Sequence, residues 1–152
     1  MTPPPFQEGT FVWCAFPERE NPARPGPLHL AYTLAVSGVA TTSGGQEFTA
    51  LTAYTTSQPW PGSGLPVGVF TFDREAAAGF GQARPFVMDL RRLALMPITT
   101  EWFPRLDRPG RGIQGHMSKA QQLRYARTAE ALLTRHAEIV EQLGPLWPAG
   151  RR

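Results

Sequence analysis

Proline and glycine decide most of what this chain can become. Sixteen prolines and fifteen glycines fall among 152 residues and cut the first hundred or so into short runs. Proline lacks a backbone donor and fixes φ, and glycine marks turns, so long helices are excluded there and short strands joined by turns are favoured. The stretch 118–143 contains neither residue and is followed by Gly144 and Pro145. That is room for one long helix with a stop signal behind it.

The runs between the breakers read as strands. "TFVWCAF" (10–16) alternates and is rich in β-branched and aromatic residues. "LHLAYTLAV" (28–36), "EFTALTAYTT" (47–56) and the shorter "VGVFTF" (67–72) follow, separated by "PERENPARPGP" and "SGVATTSGGQ". "REAAAGFGQ" (74–82) predicts a helical turn, and "PFVMDLRRLALMPI" (85–98) a strand with a bend. "DRPGRGIQGH" (107–116) reads as a Gly/Arg loop. Ser118 and Gln121 then stand at capping-box spacing. Beyond them Tyr125, Ala129, Leu132, Leu133, Ile139, Val140 and Leu143 repeat at helical period, with Arg124, Thr128, Arg135, Glu138 and Gln142 on the opposite face. The expectation is a single domain over residues 1–152, mainly β (α+β), with strands first and a C-terminal helix at 118–143. Short strands at this spacing suggest a small barrel or sandwich.

Hydrophobic residues at 41% against 18% charged exclude a disordered chain. No apolar run is long enough to span a bilayer, and "MTPPPFQEG" lacks the basic and apolar regions of a secretory signal. Cys14 is alone, so no internal disulfide forms, which fits a reducing cytoplasm. Residues 1–100 carry six Arg and seven acidic groups (−1), and residues 101–152 carry eight Arg, one Lys and five acidic groups (+4), which gives the net +3. An arginine-rich, basic chain hints at a nucleic-acid partner, and a solvated basic surface accounts for it equally well. Three scattered histidines and one cysteine have no metal-ligand spacing, so no metal and no cofactor is expected.

Several segments, taken in order, resemble the MazF/PemK toxin family. "GTFVWCAFPERE" is similar to its opening strand, and "PGPLHLAYTLAV" occupies the place of a proline-rich loop running into "RPALVV". "YTTSQ" is similar to "YGTSQ" or "ITSQ", and "FVMDLRRLALMPITTEWF" resembles late strands reading "FDLxRxxxLPYTxEWF". The likeness covers roughly residues 9–103. It implies a small SH3-like β-barrel, a usual homodimer, metal-independent endoribonuclease activity on single-stranded RNA, and an inhibiting antitoxin protein. It also implies a site. The family threonine that touches the scissile phosphate corresponds to Thr56, or to Thr55 after a shift of one residue. The family's arginine before a proline has no counterpart in Leu28-His29-Leu30-Ala31-Tyr32, where His29 is the nearest group able to move a proton.

Metal-free RNA cleavage needs a base for the 2′-hydroxyl, an acid for the leaving oxygen, and donors for the phosphate. Histidine suits proton transfer near neutral pH, and arginine suits the phosphate. Arg91 or Arg92 is the expected clamp. Ser57, Gln58 and Trp60 are expected on the groove wall, Trp60 either stacking on a base or pinning its loop between Pro59 and Pro61. Each residue also has a plainer role. Thr55, Thr56 and Ser57 form strands and turns, His29 and His136 pack in apolar faces, and His116 faces solvent. The alternative function is a catalytically inactive module that binds a protein or nucleic acid. Convergence of His29, Thr56 and an arginine in one groove distinguishes the two.

Overall fold

A computed structural model describes residues 3–135 of the chain. The strands are β1 (Thr10–Ala15), β2 (Leu28–Ala40), β3 (Gln46–Thr56), β4 (Val69–Phe72), β5 (Phe86–Pro97) and β6 (Ile113–His116). They form one antiparallel sheet in the order β4-β5-β3-β2-β1-β6. The two edge strands, β4 and β6, do not pair with each other, so the sheet is open rather than a closed barrel. Two helices join it, α1 (Arg74–Ala78) and α2 (Lys119–Arg135). Residues 136–143 of the expected helix, His136 included, lie outside the described residues.

Strand alternation sorts the apolar side chains onto two faces. On one face Phe11, Leu30, Tyr32, Phe86, Met88, Leu90 and Leu93 pack under Tyr125, Ala129 and Leu132 of α2 and Ala77 of α1. On the other, Val12, Cys14, Phe16, Ala31, Ala50, Ala94 and Met96 pack against Phe6, Trp102 and Phe103. Both faces are therefore covered, although the sheet is antiparallel. The cap on α2 is half of the expected box. Ser118 Oγ accepts a hydrogen bond from the Gln121 backbone N–H at 3.3 Å, whereas Gln121 Oε1 is buried without a hydrogen-bond partner among the described residues.

The expected bend in β5 is a slip of register. Ala53 pairs with Leu93, but the next residue, Tyr54, pairs with Asp89. Residues 90–92 bulge out of the ladder between these pairs, which lets Leu90 and Leu93 both enter the helix-side core with no exposed surface. A bulge of this kind re-aims the side chains within it, and here it turns Arg92 to the opposite face. The Gly/Arg loop expected at 107–116 holds a 3-10 turn at Pro109–Gly112 followed by β6, which pairs with β1.

Candidate functional site

The mouth of β2, the end of β3 and the approach to β5 meet at one end of the sheet. They enclose a cavity of about 480 Å³, lined in part by Trp13, His29, Thr56, Gln58, Arg84 and Phe86. "YTTSQ" ends β3 here because Thr55 and Thr56 close the ladder against Met88 and Val87 of β5, and the chain then turns. The Gln58 backbone N–H donates to Thr56 Oγ1 at 3.1 Å, an ST-turn of the kind such sequences form. That contact uses a lone pair of the oxygen and leaves the hydroxyl proton available to a substrate oxygen. The row of hydroxyls is thus turn chemistry and cavity lining together.

Thr55 has a different place. It is 3% exposed, and its hydroxyl donates to the Leu30 carbonyl across the β2–β3 pair. Thr55 also lines the cavity, but its hydroxyl proton is committed to that carbonyl and tethers the two strands. Of the two threonines offered by the sequence, only Thr56 has a hydroxyl placed for chemistry.

His29 is half-buried and rests against Tyr54, with ring centroids 5.0 Å apart. Burial holds its imidazole below the ordinary histidine value, a hydrogen bond to the Thr55 main chain acts in the opposite sense, and the charge of Arg92 adds to the lowering. The net effect is a neutral imidazole at neutral pH, with proton-accepting capacity. His29 also lines a second cavity, of about 290 Å³, with Tyr54, Arg92, Arg19, Glu18 and Glu20. It therefore forms part of the partition between two openings.

The arginines differ from expectation. Arg91 makes two 3.0 Å hydrogen bonds to the Asp89 carboxylate and lies 5.3 Å above the Trp60 ring. Arg92 lies 4.0 Å from the Tyr54 ring centroid and donates to the Pro17 carbonyl at 3.3 Å. Neither lines the cavity of Thr56; Arg84 does. Ser57, Gln58 and Arg84 continue from that cavity into a neighbouring one of about 470 Å³, where Trp60 forms a wall. Trp60 is both pinned by Arg91 and open on a cavity. Arg84 was legible only as the "RP" of "GQARPF", and it sits in the bend that leads into β5.

His116 is exposed, and Cys14 is fully buried, its thiol pushed up by burial. Among the described residues no three His, Cys, Asp or Glu side chains gather where they could hold a metal, and no helix is long and apolar enough to cross a membrane.

No family model, curated protein or solved structure matches this chain.

Proposed function

We propose that the chain binds single-stranded RNA in the cavity at the mouth of β2, β3 and β5 and cleaves it without a metal, as a MazF/PemK-like toxin would. One observation carries the reading: His29, Thr56 and Arg84 line the same cavity. A neutral His29 accepts the proton of a ribose 2′-hydroxyl. The 2′-oxygen attacks phosphorus, the P–O5′ bond breaks, and the leaving 5′-oxygen takes a proton from water. The products are a 2′,3′-cyclic phosphate and a 5′-hydroxyl, and the imidazolium returns its proton to solvent. Thr56 donates its O–H to a non-bridging oxygen, and the Arg84 guanidinium balances the charge that builds there. Arg84 thereby supplies, from the approach to β5, the cation that the family brings in ahead of β2.

The SH3-like reading of the sheet, a cytoplasmic location, a homodimer and an antitoxin belong to the same proposal and rest on the resemblance alone. Incubation of the purified protein with a long single-stranded RNA in excess EDTA tests the core of it. Fragments ending in a cyclic phosphate are expected. Binding without fragments would replace the enzyme with the inactive module, and neither binding nor fragments would end the RNA reading.

A further inference from the structure

Arg92 is placed unlike any other cation of the sheet. The three-residue bulge of β5 turns it away from Leu90 and Leu93 onto the face of Tyr54 and Phe16. Its guanidinium is held by the Tyr54 ring at 4.0 Å, the Phe16 ring at 5.4 Å and the Pro17 carbonyl at 3.3 Å, with a hydrogen bond to the Tyr54 side chain besides. Tyr54 is in turn the ring on which His29 rests, at 5.0 Å. Arg92 and His29 share the 290 Å³ cavity, while Arg92 is absent from the walls of the cavity holding Thr56. A cation clamped this way does not reach a phosphate beside Thr56. It is well placed to act on His29.

We propose that Arg92 is a positioning residue for His29: stacked on Tyr54, it holds in place the ring on which the imidazole rests and sets a fixed positive charge in the cavity that the two share. The catalytic meaning of this statement rests on the RNA-cleavage reading; its electrostatic half does not. The other groups around His29 do not supply the same effect. Tyr54 and the Thr55 main chain on β3 are uncharged contacts, and the Thr55 contact favours the imidazolium. Cys14, its register partner on β1, is a buried thiol. In the loop before β2, Arg19 brings a further cation and Glu18 and Glu20 two anions to the same cavity, and there Arg19 repels and Glu20 attracts the Arg92 guanidinium. Across the partition Arg84 shares the first cavity with His29, and a bound phosphate would neutralise it. Arg92 is the cation that burial and stacking hold in place in both states. Burial is the larger cause of His29's lowered value, and a nearby cation adds to it by repelling the imidazolium; the neutral form that both favour is the one a base needs.

The test is a side-chain NMR titration of His29, assigned with His29→Gln, in the full-length protein and in three variants whose folding is checked by thermal melting. Arg92→Met keeps a stem on Tyr54 and removes the charge. Arg92→Gln also keeps a donor for the Pro17 carbonyl. Arg92→Lys keeps the charge. The titration midpoint should move to higher pH in the Met and Gln variants and stay near wild type in the Lys variant. An unmoved midpoint in Arg92→Met, or a Lys variant that moves as far as Met, overturns the proposal. In RNA cleavage, the acidic limb of the Arg92→Met profile should shift to higher pH with the alkaline plateau retained. Loss of cleavage at every pH with the His29 midpoint unmoved would instead make Arg92 a direct participant. A shifted midpoint in a protein that cleaves no RNA would remove the nuclease and leave the coupling of Arg92 to His29 standing.

Discussion

Thr55 and Thr56 are neighbours that separate stability from chemistry. Valine preserves the β-branched shape at either position. At Thr55 it leaves the Leu30 carbonyl without its hydroxyl donor inside the sheet, so Thr55→Val should lower unfolding free energy by about 1–3 kcal/mol, read by denaturant titration, and spare any cleavage per folded molecule. At Thr56, half-buried on the cavity wall, valine should leave stability in place and lower cleavage by about tenfold or more, the scale of one lost charge-stabilising donor. The reverse pattern would transfer the catalytic role to Thr55. His29 sets a pH dependence of stability. Its folded value lies below the unfolded 6.5 because of burial, so the unfolded chain takes up the proton first. Stability from this group is complete above the unfolded value and declines as pH falls below it. Denaturant midpoints at pH 8 and pH 5 should therefore differ less in His29→Gln than in wild type.

At the scale of elements, α2 is the piece whose removal the sheet cannot absorb. Tyr125 meets Tyr32 and Phe70 edge to face at 5.3 and 4.9 Å, and Leu132 is 5% exposed. Leu132→Ala should cost about 2–5 kcal/mol, and a chain ending before Ser118 should aggregate or melt without cooperativity because the part of the sheet face beneath Tyr125, Ala129 and Leu132 is left bare. A soluble, cooperatively folded truncation would show that α2 is dispensable. That helix was legible as far as Arg135 because its apolar positions repeat over several turns behind a cap. The first five strands were legible for the matching reason, alternation between breakers. β2 runs on to Ala40, past the expected 36, because the turn sits at Thr41–Gly45, where Thr41 and Gly45 close it with a 2.9 Å backbone hydrogen bond. β6 was hidden: four residues, two of them Gly115 and a partly exposed Gln114, carry no alternation, and only pairing with β1 makes them a strand. The site was half legible. Thr56 and His29 stand on strands whose direction could be read, whereas Arg84 joins them only through the return of β5 beside β3, a contact between distant segments that no local pattern encodes.

For the molecule as a whole, the question is which arginines an RNA would feel. A net charge of +3 gives a weak overall field, so phosphate contacts must come from particular side chains rather than from a general basic surface. The sheet is already using several of its arginines internally. Arg91 is paired with Asp89, Arg92 lies on Tyr54, Arg105 sits 4.8 Å over Trp13, and Arg124 sits 5.0 Å over Phe70. Arg84 stands where two cavities join, between Thr56 and Trp60. A strand crossing from one cavity to the other must carry a phosphate past it. Each phosphate neutralised on a single strand contributes about −0.7 to the slope of log affinity against log salt. Arg84→Ala should therefore weaken binding of a 2′-O-methyl RNA oligonucleotide and make that slope shallower by about 0.7. Arg92→Gln should leave the slope unchanged, since its guanidinium is held on the far side of His29. Fluorescence anisotropy across a salt series reads both variants. An unchanged slope in Arg84→Ala would mean that the RNA does not pass through the junction of the two cavities, whatever its affinity.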